Sequence, residues 1–173
     1  GGNGEGWVQV DSRSDMAAPA TDNEWYASPD AAVGIQYMRL SVTPTPYPPF
    51  SAPLPGATYA ACKLQVTRVS STDQFRKVRF SELRLYDALG DELDLSAATA
   101  SSPDTSSSKA AEAIDGNMGG SGHSNEFEAN APPTAIVMSF ASPVAVSAYA
   151  IAVPHCCASN DSPVDWNLQC QSD

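Results

Sequence analysis

Short runs of alternating apolar and polar residues constrain the fold of this chain more than any other sequence feature. Successive side chains of a strand point to opposite faces of a sheet, so a period of two residues marks half-buried strands. The pattern predicts strands at residues 7–10, 35–42, 59–69, 78–87 (with a bulge near Ser81, where the alternation slips), 135–140, 144–153 and 166–170. Residues 108–114 suit a short helical turn, and residues 95–108 are predicted to be a loop. Short strands at this spacing are typical of an antiparallel sandwich or barrel.

A proline-rich segment separates two unequal parts of the chain. Residues 44–58 hold six prolines and lie between a polar part, residues 1–43, and a more apolar part, residues 59–173. Because proline fixes φ and lacks a backbone donor, this segment is excluded from helices and inner strands. We predict an extended polyproline II linker that spans about 45 Å at about 3.1 Å per residue. An ordered surface loop, held to the core by Tyr47 and Phe50, is the alternative.

The charge balance argues against several classes of partner. Aspartate and glutamate number 20 against 9 lysines and arginines, which gives a formal net charge of −11 over 173 residues. Phosphate backbones and anionic membrane surfaces need a basic face, so nucleic acid and lipid surfaces are not expected partners. No apolar run approaches the roughly 20 residues of a membrane span, so no membrane insertion is expected. The chain begins at Gly1 without an initiating methionine, and we expect a processed product or a piece of a longer protein.

The cysteines indicate an oxidising compartment. The acidic, lysine-poor chain has an even number of them: Cys62, Cys156, Cys157 and Cys170. Such usage predicts disulfides and an extracellular location, with buried free thiols as the alternative. A bond between the adjacent Cys156 and Cys157 is strained, so we expect each of these two to pair with Cys62 or Cys170. A zinc site is not expected, since there is no C-x-x-C pair.

Segments of the larger part follow an order known from one family. They are F-S-E-L-R-L-Y-D at 80–87, G-D-E-L at 90–93, A-A-E-A-I-D-G-N at 110–117, S-P-V-A-V-S-A-Y-A-I at 142–151 and S-P-V-D-W-N-L-Q-C-Q-S-D at 162–173. Together they resemble the discoidin-like, galactose-binding-like family, of the type found at the C-terminus of coagulation factors five and eight. The resemblance implies an all-β fold, an antiparallel jelly-roll-like β-sandwich, for most of residues 59–173.

The N-terminal part resembles a later piece of the same family. W-V-Q-V-D-S-R-S at 7–14 and Y-M-R-L-S-V at 37–42 are similar to the closing strands that follow the last of those motifs in the family. The resemblance therefore implies a permuted order. In that order residues 1–43 supply the closing part of a sandwich and residues 59–173 its main body.

Three arrangements follow from the permuted order. Residues 1–43 complete the sandwich of their own chain, or they complete that of a neighbouring chain, or the chain is one period of a longer tandem array. A stiff linker at 44–58 favours reaching another subunit, and a head-to-tail contact that does not close builds a filament. The assembly contact is expected from apolar residues of the two N-terminal strands: Trp7, Val8, Val10, Ile35, Tyr37, Met38, Leu40 and Val42.

The resemblance also implies two kinds of binding site. Family members often hold a structural calcium ion near the D-G-N loop, and Asp115, Asn117 and Glu82 occupy the matching positions. Carboxylate and amide oxygens are ligands that Ca²⁺ prefers. A simple tight turn at D-G-N is the alternative. Sugar binding is common in the family, and the candidates for an aromatic platform and its polar neighbours are Trp25, Tyr26, His123, Asn125 and Phe127.

Two sequence signals predict glycosylation. Asn160 begins an N-D-S acceptor sequence. T-P-T-P at Thr43, Pro44, Thr45 and Pro46 resembles segments of the hydroxyproline-rich extracellular glycoproteins of plants and algae. Sugars on such a segment stiffen it, and unmodified proline is the alternative.

The sequence does not predict an enzyme, because it has no recognisable Ser–His–acid, H-E-x-x-H or phosphate-loop motif. We expect a non-enzymatic extracellular module, a repeating subunit of a surface filament or matrix assembled head-to-tail by strand complementation. Its partners are then copies of itself, and structural calcium is the cofactor considered. A carbohydrate-binding, lectin-like adhesion module with glycan partners is the alternative, and a hydrolase accessory domain is the third reading.

Overall fold

Strands make up most of the regular structure in the described chain. The structure, a computed structural model, describes residues 6–16, 25–27, 57–71, 77–117, 125–152 and 161–172. The strands in these ranges are β1 Trp7–Arg13, β2 Trp25–Ala27, β3 Tyr59–Val69, β4 Val78–Phe80, β5 Glu82–Tyr86, β6 Thr99–Ser101, β7 Phe127–Ala129, β8 Thr134–Val144, β9 Ala148–Ala152 and β10 Pro163–Gln171. A short helix, α1 Ser107–Ala111, and a 3-10 turn, Glu112–Ile114, follow β6. No helix of these ranges has the length and apolar character needed to cross a membrane.

The strands pair in three antiparallel sheets. The large sheet has the strand order β1-β10-β3-β8-β6, the second has the order β2-β9-β5, and β4 pairs with β7. Each of these pairings is antiparallel. The all-β antiparallel architecture, consistent with a β-sandwich, is therefore confirmed. The jelly-roll topology and completion by a neighbouring subunit stay predictions.

One apolar core joins the sheets. Alternate residues of β3, Cys62, Leu64 and Val66, are at most 1% exposed and belong to this core. Leu83 of β5 and Ile151 of β9 enter the same core from the second sheet. Each fully buried aliphatic side chain stabilises the fold by roughly 1.5–3 kcal/mol relative to exposure. The burial of every second residue from Cys62 to Val66 is what the alternation in the sequence predicts.

Ser81 marks a change of sheet. The sequence predicts one strand with a bulge at this point, whereas the structure has two strands, β4 and β5, on either side of it. The Ser81 N–H donates to the carbonyl of Ala152 at 2.8 Å, so the backbone already lies beside β9 where β5 begins. β4 turns away to pair with β7. The slip in the alternation is real, and its cause is this exchange of neighbours.

The remaining differences concern strand ends and very short strands. β8 continues past the predicted range 135–140, and β9 begins at Ala148 instead of residue 144. The sequence did not predict β2, β6 or β7, and β6 lies within the predicted loop, where it pairs with β8. The helical turn predicted at 108–114 is confirmed by α1 and the 3-10 turn. The predicted strand at 35–42 lies outside the described residues, as do all but the last two residues of the predicted linker.

Cys62 and Cys170 form a disulfide between neighbouring strands. They are direct partners in the antiparallel register of β3 and β10, with Cα atoms 4.1 Å apart. The expected pairing of Cys62 and Cys170 with Cys156 and Cys157 is therefore wrong, because the strand register places the first two opposite each other. Cys156 and Cys157 lie outside the described residues.

Removal of this disulfide is expected to destabilise the protein. The bond joins residues separated by 108 positions, and losing such a crosslink typically costs about 2–5 kcal/mol. The double variant Cys62→Ala, Cys170→Ala should lose that much free energy of unfolding in urea denaturation. Peptide mapping without reductant checks the pairing itself, and a peptide that joins Cys62 to Cys157 would contradict it.

Candidate functional site

A cavity of about 670 Å³ opens between the outer edges of two sheets. β5 is the last strand of the second sheet and β6 the last strand of the large sheet, and both line the cavity. The loop between them completes one wall, held beside β5 by the Leu93 N–H, which donates to the Leu85 carbonyl at 2.9 Å. Ala111, Ile114, Asp115 and Gly116 also line the cavity. The volume falls within the range of small-molecule sites, about 300–1,000 Å³.

Glu82, the first residue of β5, is the buried acidic group of this cavity. The residue is 2% exposed and lines the cavity wall. Its Oε1 accepts a hydrogen bond from the Gly116 N–H at 3.2 Å. Its Oε2 is buried and has no hydrogen-bond partner among the described residues. One of the two oxygens of this carboxyl group is therefore unsatisfied.

The D-G-N sequence forms the turn that presents the Gly116 amide. Asp115 Oδ1 accepts a hydrogen bond from the Asn117 N–H at 2.8 Å, which closes an Asx turn. Gly116 has a φ of 76°, in the left-handed region that glycine adopts at little cost. The turn follows directly on the 3-10 turn Glu112–Ile114. The D-G-N sequence thus forms a tight turn, which was the alternative to a calcium-binding loop.

Burial raises the pKa of Glu82 from 4.5 to about 7. The hydrogen bond from Gly116 and the charge of Arg84 lower this pKa, whereas the charges of Asp115 and Glu92 raise it. Arg84 Nη1 in turn donates to Glu92 Oε2 at 3.2 Å. The cavity therefore has an acidic end, in which carboxylates outnumber the guanidinium.

Of the residues predicted to hold calcium, Glu82 and Asp115 line this cavity, and Asn117 lies in the adjoining D-G-N turn. Gly116 turns its N–H towards Glu82, and an N–H donor cannot coordinate a cation. No three His, Cys, Asp or Glu side chains of the described residues are grouped so that they could hold a metal ion. Ca²⁺ takes about six to eight oxygen ligands. Calcium binding by Asp115, Asn117 and Glu82 therefore stays a prediction, and we derive no role for calcium.

The residues predicted to bind sugar are not brought together in the described chain. Phe127 is 1% exposed and its ring stacks on that of Phe80, with centroids 4.7 Å apart, so it is a core residue and not a sugar platform. Asn125 is half-buried, with a φ of 59°. Trp25 and Tyr26 belong to β2, of which the structure describes the backbone, and His123 lies outside the described residues, as do the predicted glycosylation positions.

A buried polar cluster holds β1 to the body of the sandwich. Arg13 Nε donates to Asp11 Oδ2 at 2.8 Å, and the Tyr149 hydroxyl donates to the same oxygen. Trp166 Nε1 donates to the Tyr149 oxygen at 2.8 Å. Burial and the charge of Asp11 raise the pKa of Tyr149, so this hydroxyl stays protonated. The cluster joins β1, β9 and β10.

Asp11 and Arg13 are not among the residues that the sequence predicted to be functional. Their spacing could have pointed to them, because two charged residues two positions apart in a strand lie on the same face of the sheet. Of the predicted assembly residues, Val10 is buried in the core, Trp7 is half-buried and Val8 is 58% exposed. The other predicted assembly residues lie outside the described chain, at Ile35, Tyr37, Met38, Leu40 and Val42.

A second, exposed cluster fixes the end of β1. Arg68 of β3 donates from Nε to Asp165 Oδ2 at 2.6 Å and also pairs with Asp15. The Asp15 N–H donates to Asp165 Oδ1 at 2.6 Å, and the Met16 N–H donates to the Val164 carbonyl at 3.0 Å. This surface clamp continues the contact of β1 with β10 beyond the end of the strand.

Comparison of the chain with protein-family models, with curated proteins and with solved structures gives no match. The resemblance to the discoidin-like family stays a prediction. The functional argument therefore rests on the cavity and on the attachment of β1.

The raised pKa of Glu82 predicts a specific pH dependence of stability. Between pH 4.5 and about 7, Glu82 is protonated in the folded chain but ionised in the unfolded chain. The contribution of Glu82 to the free energy of unfolding is therefore lost as pH rises through this range. The free energy of unfolding of Glu82→Gln should therefore equal that of the wild type near pH 4.5 and exceed it above about pH 7. The expected gain in unfolding free energy is on the order of 3 kcal/mol. Urea denaturation across pH measures it, and Asp91→Asn, an exposed change outside the cavity, is the control.

Tyr149→Phe is expected to weaken the attachment of β1. The change removes the donor to Asp11 and the acceptor for Trp166, and a buried group left unsatisfied costs about 1–3 kcal/mol. Thermal unfolding should show that loss. Tyr59→Phe is the matched control, since Tyr59 is also buried and does not belong to the cluster. Equal effects of the two variants would contradict the role of the cluster.

Proposed function

We propose that the protein is a non-enzymatic extracellular structural module, a repeating subunit of a surface filament or matrix, in which β1 of one chain completes the sandwich of the next. The observation that carries this proposal is the position of β1, which among the described strands lies at the edge of the large sheet, next to β10. Within a single chain β1 pairs with its own β10. Identical chains can exchange an edge strand at low cost, because the neighbour supplies the same residues and the same contacts.

The side-chain contacts of β1 divide the chain into a donor and an acceptor. Residues 7–16 are the donor, and they make side-chain contacts with three residues of the range 59–173: Arg68, Tyr149 and Asp165. The acceptor thus recognises this strand by buried polar groups as well as by backbone pairing. Strand addition of this kind takes its affinity from main-chain hydrogen bonds and its specificity from side-chain pockets.

The predicted linker has the reach that exchange requires. A compact domain of this size has a radius of gyration of about 15 Å. An extended segment of about 45 Å at 44–58 exceeds that radius severalfold. A donor strand on such a linker reaches the sandwich of an adjacent subunit without disturbing its own.

An extracellular location is supported by the buried disulfide between Cys62 and Cys170. Structural disulfides persist in oxidising compartments and are rare where thiols are kept reduced. The strongly acidic composition also suits a surface material that stays clear of nucleic acid and anionic lipid.

Crosslinking between separately substituted chains tests the exchange. Gln9 of β1 and Gln169 of β10 are direct register partners. One preparation carries Gln9→Cys and another Gln169→Cys, and the two are unfolded together, refolded and oxidised. Exchange predicts a disulfide between positions 9 and 169 of different chains, identified by mass spectrometry, and filaments with a regular repeat in negative-stain electron microscopy.

The matched control replaces Gln169→Cys with Ser101→Cys, on β6 at the opposite edge of the large sheet, and should give no such crosslink. A chain that carries both Gln9→Cys and Gln169→Cys reports pairing within one molecule. Complete crosslinking within single particles of 18.1 kDa, with none between chains in the mixture, would overturn the proposal.

A further inference from the structure

The carboxyl group of Glu82 is an incompletely satisfied group on the wall of a cavity. The residue is 2% exposed, its Oε2 has no hydrogen-bond partner among the described residues, and its Oε1 has the contact to Gly116 at 3.2 Å. A buried polar atom without a partner costs about 1–3 kcal/mol, and more when it is charged. A ligand that brings a positively charged donor would remove that cost.

The rest of the cavity wall combines apolar side chains with exposed carboxylates. Leu95, Ala98 and Ile114 supply apolar surface, and Asp94 and Asp115 add negative charge at exposed positions. A primary ammonium on an alkyl stem matches both features. Its stem packs along apolar surface while its compact charge pairs with a carboxylate.

We propose that this cavity binds a primary alkylammonium group, of a free amine or of a lysine side chain, with its nitrogen paired to Glu82 and its stem against the apolar wall. Oε2 is shielded from solvent in the structure. The last torsion of a glutamate side chain is soft and its two oxygens are equivalent, so the ammonium pairs with whichever oxygen faces the cavity; among the described residues, the hydrogen bond that it competes with is that from Gly116. The inference is independent of strand exchange by β1.

Other ligand classes fit this cavity less well. A bare metal ion needs several convergent ligands, and the described residues contain no such group of His, Cys, Asp or Glu. A stacked sugar ring needs an aromatic side chain, and none of the described residues that line the cavity is aromatic. Anions are repelled by the carboxylates.

Calorimetric titration of the full chain, slightly above neutral pH, tests the proposal. The charged probes are pentylamine and Nα-acetyl-lysine N-methylamide. Their neutral counterparts are 1-pentanol and Nα-acetyl-norleucine N-methylamide, and calcium chloride is titrated separately. At least one amine should bind about tenfold or more tightly than its neutral counterpart. Equal affinity of the two amines assigns the site to free amines, and tighter binding of the lysine derivative assigns it to a protein side chain.

Two variants separate the head group from the stem. Glu82→Gln keeps the shape of the side chain and should weaken amine binding by about tenfold or more. Ala98→Leu fills the apolar wall, leaves Glu82 in place and should also weaken binding, so it decides the question if the first variant fails to fold. Asp91→Asn makes the same charge change outside the cavity and should leave the affinity within about twofold.

Three results would overturn the proposal. Neutral counterparts that bind as tightly as the amines would remove the role of the charge. Unchanged affinity in both Glu82→Gln and Ala98→Leu would place binding elsewhere. Calcium binding that depends on Glu82, without binding of either amine, would assign the carboxylate to a metal ion.

Discussion

The pairing of β3 with β10 is the interaction on which the rest of the sandwich depends. In the large sheet β3 lies between β10 and β8, and β10 lies between β1 and β3. Trp166, Leu168 and Cys170 of β10 are at most 2% exposed and enter the same core as the alternate residues of β3. The disulfide fixes the register of these two strands covalently. Every other strand of the sheet is positioned, directly or through one neighbour, by this pair.

Buried polar groups give the apolar sandwich its specificity. Asp11 on β1 accepts from both Arg13 and Tyr149, and each of these groups is costly to bury alone. A slip of β1 by one residue would turn both of its charged side chains to the opposite face and leave Tyr149 without an acceptor. The carboxyl group of Glu82 differs from this cluster, because among the described residues its Oε2 has no hydrogen-bond partner. It lies where the cavity opens at the side of the sandwich.

The sequence predicts what local periodicity controls. β3 matches its predicted range, because buried and half-buried positions alternate through its middle, and the D-G-N turn follows from local chemistry. β2, β6 and β7 are each three residues long, too short for any period, and they form because a neighbouring strand pairs with them. The polar cluster and the disulfide join residues more than a hundred positions apart, so strand register decides them and no local pattern reveals it.

The cross-strand disulfide also sets the mechanical behaviour of the molecule. Tension applied at Tyr59, the start of β3, reaches Cys62 a few residues later and passes through the disulfide to Cys170. From β10 it crosses to β1 through their backbone hydrogen bonds. The residues between the two cysteines, with the core and the cavity that they form, lie outside this load path. In the proposed head-to-tail filament, a pulling force would therefore pass through each unit without extending the residues between the two cysteines.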